Sequence, residues 1–177
     1  MTPAPRRGLR GLLALARRGP REVARVALCE YVLSWDVFPE SLIFASLRSV
    51  GVAVATPCGL KAARVQTRNF SVGARSWINR GLFVEGAGAV CVGEETLVGP
   101  EVMILTSTHA RDGDGRIDPQ ATYEDVRLGS RCWIGARVTI VPGVTIGDDV
   151  TVAAGAVVAN DLGPGGLYGG VPARRLR

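Results

Sequence analysis

The sequence predicts an all-β solenoid, a three-sided prism of stacked coils preceded by a helical segment. Three observations carry this. From Val72 the chain divides into sixes, each opening on Val, Ile or Leu: "VGARSW", "INRGLF", "VEGAGA", then, after Val90 and Cys91, "VGEETL", "VGPEVM" and "ILTSTH". After a gap the same pattern returns as "LGSRCW", "IGARVT", "IVPGVT", "IGDDVT", "VAAGAV" and "VANDLG". The fifth position is usually slender, as at Ser76, Thr96, Val102, Thr108, Cys132, Val138, Val144, Val150 and Ala156. Composition agrees: 23 glycines, with only three Trp, three Tyr and four Phe in 177 residues, suit narrow layers and tight corners.

An aliphatic residue every six, with a slender one four later, describes a short flat strand followed by a corner. Three strands and three corners close a triangular coil of about 18 residues, one of the short-period repeats that build solenoids. Coils stack at about the strand spacing of 4.8 Å, and each buries its apolar face only against its neighbours. The first position fills the interior, the fifth lines it near a corner, and Gly at the second eases the bend. A β-sandwich would alternate with period two and turn every 8–12 residues or so. The unbroken register from Leu128 to Gly163 argues against it.

Residues 1–51 do not repeat and read as a helical extension; residues 52–177 read as the prism. Arg6–Arg18 forms a basic amphipathic helix ending at Gly19–Pro20. Pro20 opens a second helix, since proline is tolerated in a first turn, and Ser41–Val50 makes a third. This segment is either a cap over the open end of the prism or a basic surface that docks on an anionic membrane. The upstream register continues weakly through Val54 and Leu60, is spoiled at Gln66, and places the first coil near residue 52. Between Ala110 and about Asp125 the register lapses, and Asp112, Gly113, Asp114, Gly115, Asp118 and Pro119 predict a protruding loop near 110–126. The loop begins beside His109, the one histidine.

The net charge of +5 comes from 21 basic and 16 acidic residues and is concentrated at the two termini. No stretch interleaves basic residues with stacking aromatics, which excludes a nucleic-acid surface. No apolar run approaches the ~20 residues of a membrane span, and "GLLALA" (11–16) is too short and too closely followed by arginines for a signal peptide. The widely spaced Cys29, Cys58, Cys91 and Cys132 form no CxxC pair and no zinc pattern, so they read as reduced thiols of a cytoplasmic protein without a metal. "DGDG" lacks the spacing and terminal Glu of a calcium loop.

Four motifs stand at consistent spacing: "WIN" at Trp77–Asn79, "VGPEVMILTSTH" at Val98–His109, "CWIGARVTIVPGVTIGDDVTVAAGAVV" at Cys132–Val158, and "GGVPARRLR" at Gly169–Arg177. Over residues 52–177 the chain resembles the hexapeptide-repeat acyltransferases, in particular the maltose, galactoside and nodulation O-acetyltransferases. The resemblance implies a left-handed parallel β-helix, a homotrimer with its sites between subunits, and transfer of an acetyl group from acetyl-CoA, as co-substrate, to a hydroxyl of a sugar, polysaccharide or natural product. His109 matches the family's catalytic histidine; a base with imidazole's affinity for protons suits deprotonation of a hydroxyl at neutral pH. Asn79 matches an acceptor-binding asparagine, and Trp77 an aromatic slot that stacks on a sugar face or packs on the outer surface. The galactoside branch has an aspartate where this chain has Ala87, with Glu85 two residues away. Trp133 fits the tryptophan beside the thioester. Ala136 and Ala154 sit where backbone groups meet the pantetheine arm. Arg174 and Arg177 match the basic tail that meets the CoA phosphates, although Ala159–Asn160 replaces the usual Thr–Lys. The resemblance further implies that His109 faces a neighbouring subunit's Trp133–Ala154 flank, and a backbone N–H near Ala136 is a source for the oxyanion donor.

Cys132, on an inward position, should be core, so direct transfer is favoured over a covalent cysteine mechanism. Alternatives are an N-acyltransferase on the same fold and a non-catalytic scaffold. A γ-type carbonic anhydrase needs three histidines on zinc, which one histidine per chain cannot supply.

Overall fold

A computed structural model describes residues 69–177 without interruption and, before them, residues 19, 20, 45, 48, 53–55, 59, 60 and 63–67. Of the helices expected within 1–51 only Pro20, Ala45 and Arg48 are described, each as helix, and the rest lies outside the described residues, as do Cys29 and Cys58.

The described chain is a parallel β-solenoid. The first coil holds β1 (Ala53–Val54), β2 (Gly59–Leu60) and β3 (Arg64–Val65); the second β4 (Phe70–Val72), β5 (Trp77–Ile78) and β6 (Phe83–Glu85); the third β7 (Val90–Val92), β8 (Leu97–Val98) and β9 (Met103–Leu105). An excursion follows, made of β10 (Ser107–Arg111) and β11 (Ile117–Tyr123). The fourth coil is β12 (Val126–Leu128), β13 (Trp133–Ile134) and β14 (Thr139–Ile140); the fifth β15 (Thr145–Ile146), β16 (Val150–Val152) and β17 (Val157–Val158). A partial coil ends the chain with β18 (Gly166–Gly169) and β19 (Arg174–Arg175).

Three sheets form the prism faces. Sheet A runs β1-β4-β7-β12-β15, sheet B runs β2-β5-β8-β13-β16-β18 with β19 at its edge, and sheet C runs β3-β6-β9-β14-β17. Every pairing between coils is parallel and in register: Val72 meets Val92, Val92 meets Leu128, and Leu128 meets Ile146. The residues that open the blocks fill the interior. Ile78, Val84, Ile104, Ile134, Ile140 and Val158 are fully buried, and Val72, Val92, Val98, Leu128, Ile146 and Val152 nearly so. Gln66 does not spoil the first coil, because Val65 takes the inward place one residue earlier. The intervening Val90 and Cys91 belong to β7, and the extra length is taken up in the corner at Gly86–Ala89.

The slender fifth position has a second role where it is polar. Ser76 Oγ donates to Gly93 O at 2.7 Å and accepts Thr96 N at 3.0 Å. Thr96 Oγ1 donates to Gly129 O at 2.8 Å and accepts Cys132 N at 3.2 Å. Cys132 Sγ donates to Gly147 O at 3.1 Å. These buried groups form a ladder that satisfies backbone atoms at the A–B corner, where an unpaired group would cost about 1–3 kcal/mol. Cys132 is core, as expected, and burial pushes its thiol pKa up.

Two expectations change. Gly at the second position is required by stacking rather than by bending: Gly73, Gly93, Gly129 and Gly147 line one corner, and a Cβ on Gly93 would lie 2.5 Å from the backbone of Gly129. The bends are made elsewhere, by residues in the left-handed region, including Arg75, Glu95, Arg131 and Asp149. These four stack at the A–B corner with alternating charge, Arg75 bonding Glu95 and Arg131 bonding Asp149, each at 2.7 Å.

The second change concerns the protruding loop. It is an antiparallel β-hairpin, and the chain leaves the prism at Ser107, before His109. Thr106 is the last inward residue and Thr108 is not buried. Thr106 Oγ1 donates to Glu85 O at 2.8 Å and accepts Gly88 N at 3.1 Å. Glu124 N donates to Thr106 O, and Asp125 Oδ1 accepts Ala89 N, both at 2.8 Å. The neck of the hairpin is thereby fixed to the widened corner of the coil below it.

Candidate functional site

The outward residues of sheet B lie in one column, Gly59, Trp77, Leu97, Trp133, Thr151 and Leu167, matched rung by rung. Trp77, Leu97 and Trp133 are 40%, 49% and 59% exposed, an apolar stripe on a surface strand face. The stripe and the B–C corner beside it form a groove of about 650 Å³. Trp77, Asn79, Trp133, Ala136 and Ala154 all line it, so the structure brings five of the expected site residues together. Trp77 also lays its indole over Gly59, where any side chain would collide with the ring.

The corner differs chemically from the others. At the A–B corner, Glu94 N is bonded by Ser130 Oγ and Ser130 N by Asp148 Oδ1. At the groove, Pro100 has no N–H, and the N–H groups of Ala136 and Ala154 have no acceptor among the described residues. Asn79 Oδ1 accepts Arg80 N at 2.8 Å, which leaves its NH₂ group as the donor for a ligand. Gly99 and Gly135 keep the corner thin, since a Cβ on either would lie within 2.8 Å of the backbone of the next coil. The groove is thus an apolar slot floored by exposed peptide groups. It fits a narrow, amide-bearing, largely apolar chain.

His109 and Glu85 do not line this groove. Glu85 lies at the C–A corner, where the hairpin leaves the prism, and His109 stands on the hairpin two residues beyond Ser107. Both carboxylate oxygens of Glu85 lie within 2.8 Å of Ser107 Oγ, which donates to them. His109 is exposed on β10, and its Nδ1 lies 2.8 Å from the carbonyl oxygen of Asp118. A carbonyl can only accept, so Nδ1 carries the proton and Nε2 holds the lone pair of the neutral ring. Nε2 has no partner among the described residues. Arg174 and Arg177 lie on the exposed C-terminal strand and beyond it, with Arg174 Nη1 donating to Ala173 O at 3.1 Å. The described residues contain no group of three or more His, Cys, Asp or Glu that could hold a metal ion, and no helix long and apolar enough to cross a membrane.

Sequence reasoning missed the hairpin rung Ser107–Tyr123, the Asp118 carbonyl, and Leu97 and Leu167 in the stripe. Leu97 was detectable: Trp77, Leu97 and Trp133 each occupy the sixth place of their block, an outward position that should be polar on a free surface.

These features define a class, the parallel β-helix of hexapeptide repeats, here with a groove along one face. Residues 125–160 match the family model "Bacterial transferase hexapeptide (six repeats)". That match spans about a fifth of the chain, and over a longer stretch the chain is similar to acetyltransferases. It is 31% identical over 109 residues to the galactoside O-acetyltransferase of Escherichia coli (strain K12), covering 62% of this chain and 54% of that protein. It is 40% identical over 106 residues to nodulation protein L of Rhizobium meliloti (strain 1021), covering 60% and 58%. The chain therefore spans little more than half the length of these curated relatives. A hexapeptide-repeat acetyltransferase of Vibrio cholerae crystallised with acetyl coenzyme A superposes with a TM-score of 0.71 at 25% identity, covering 96% of this chain and 90% of that one.

Proposed function

We propose that the chain is an acetyltransferase that moves an acetyl group from acetyl-CoA to a hydroxyl of a sugar, polysaccharide or natural product, with His109 as general base. The observation that carries this is the bond from Nδ1 of His109 to the Asp118 carbonyl, which presents the basic Nε2 outward. Held this way, Nε2 accepts the acceptor's proton as its oxygen attacks, and a base so placed contributes about 10²–10⁴-fold.

Acetyl-CoA supplies the acetyl group as a thioester. The groove between Trp77, Trp133 and Leu167 suits its pantetheine arm, with Ala136 and Ala154 offering backbone donors and Arg174 and Arg177 near for the phosphates. A backbone N–H near Ala136, distinct from the donors that meet the pantetheine arm, stabilises the oxyanion. Asn79 supplies a donor to the acceptor and Glu85 an acceptor for its other hydroxyls. Cys132, buried and raised in pKa, is unsuited as a nucleophile, so transfer is direct.

The base and the groove lie on different edges of one prism, so a complete site requires a second copy. That, with the apolar stripe, supports a homotrimer of left-handed prisms with sites between subunits. The protein works in the cytoplasm.

The test is thiol release from acetyl-CoA against a panel of glycosides and alcohols. His109→Ala is expected to lower kcat by about 10²–10⁴-fold. Unchanged activity in that variant would remove His109 from the mechanism, and no CoA binding by calorimetry would favour a scaffold.

A further inference from the structure

The hairpin pairs Ser107 with Tyr123 and His109 with Ala121. Cross-strand partners, and residues two apart on one strand, share a face. Tyr123, Ser107, His109 and Ala121 therefore stand on the same side of the hairpin. Ala121 offers only a methyl opposite the imidazole, whose Nδ1 is held by the Asp118 carbonyl of the same strand. Tyr123 is the diagonal neighbour of His109, and such positions lie about 7–8 Å apart, within reach of an aromatic side chain.

Tyr123 has no structural task that explains its size. It is 53% exposed, it belongs to no part of the core, and its hydroxyl has no partner among the described residues. Yet its backbone is anchored on both sides: its cross-strand partner Ser107 is fastened to Glu85, and the next residue, Glu124, bonds Thr106. An aromatic ring, a carboxylate and a base thus occupy adjoining places at the foot of the hairpin. A ring polyol has an apolar C–H face that packs on an aromatic ring and an edge of hydroxyls that donate to a carboxylate; a linear alcohol has no such face.

We propose that Tyr123 is the specificity-determining residue of the His109 site, the platform on which the acceptor's pyranose-like ring stacks while Glu85 takes its hydroxyls. The proposal rests on the transferase reading and narrows its acceptor to ring polyols.

The experiment compares methyl glycopyranosides with linear alditols as acceptors for the full chain and for Tyr123→Phe and Tyr123→Leu. The ratio of kcat/KM for glycoside over alditol should fall about tenfold in Tyr123→Leu, mainly through KM, and hold in Tyr123→Phe. A ratio unchanged in Tyr123→Leu overturns the proposal. A second measurement needs no turnover: saturation-transfer NMR of methyl glycopyranoside with the full chain and CoA. The transfer signal should be present in the natural protein and in Tyr123→Phe, and lost in Tyr123→Leu. Absence of signal in the natural protein, or equal signal in all three, overturns it. If no acceptor is acetylated, the transferase reading fails, and the NMR comparison still decides whether Tyr123 binds a sugar ring.

Discussion

Replacing Gly135 with alanine puts a methyl between two coils. The added Cβ would lie 2.6 Å from Ala154 N and 2.8 Å from Val152 O, where ordinary contact begins at 3.4 Å. From 2.6 Å to 3.4 Å the coils must give about 0.8 Å, and the obstruction is backbone, which cannot rotate aside. The bonds at stake are Gly135 N to Val152 O and Gly155 N to Ala136 O, both 2.8 Å. Stretching them by that amount takes them past hydrogen-bonding length. Two such losses, with groups left partly unsatisfied, cost about 2–4 kcal/mol. Gly155 is the control. It has a φ of 72° and nothing within 4 Å of an added Cβ, so Gly155→Ala costs only the left-handed conformation, about 1–2 kcal/mol. Urea unfolding followed by tryptophan fluorescence, at one protein concentration, measures both. A loss at Gly135 under about 0.5 kcal/mol, or no greater than that at Gly155, would refute the stacking argument.

The charged corner should show in the pH dependence of stability. Arg131 holds the Asp149 carboxyl below its usual pKa, so its contribution is complete above the unfolded-state value and is lost as pH falls through the folded-state value. The gap in Tm between the natural protein and Asp149→Asn should therefore narrow from pH 7 to below about pH 4; an equal gap at both ends would remove the carboxylate as its cause. The two described thiols should also separate. In a chain with Cys29 and Cys58 changed to serine, the exposed Cys91 should react with a disulfide reagent in the native state, and the buried Cys132 only on unfolding. Reaction of both thiols at similar rates without denaturant would contradict the burial of the ladder.

The prism was legible because one physical rule repeats. Every block opener from Val72 through Val158 faces inward, and that interior is aliphatic for the same reason each time. Asn79, Trp133, Ala136 and Ala154 were singled out by resemblance, and the fold lines one groove with them. The hairpin was not legible, because its pairing has period two and is antiparallel: Thr108 and His109 fit a sixfold count by coincidence of spacing while their backbone had already left. The second-position glycines were recognised but misread, since contact between coils is invisible to local sequence. The relation of His109 to Tyr123 depends on a strand register across a turn, and only the folded hairpin supplies it.

The neck at Thr106 and Val126 has an architectural consequence. Strands β9 and β14 pair across the excursion, and so do β7 and β12, with the same register as uninterrupted coils. The solenoid is therefore indifferent to what is carried between those two points. Because the entropic cost of lengthening a closed loop grows slowly, the insert can be exchanged or resized while the stack below stays intact. The scaffold and the groove form a fixed chassis, and the segment bearing the histidine is a replaceable head mounted on it.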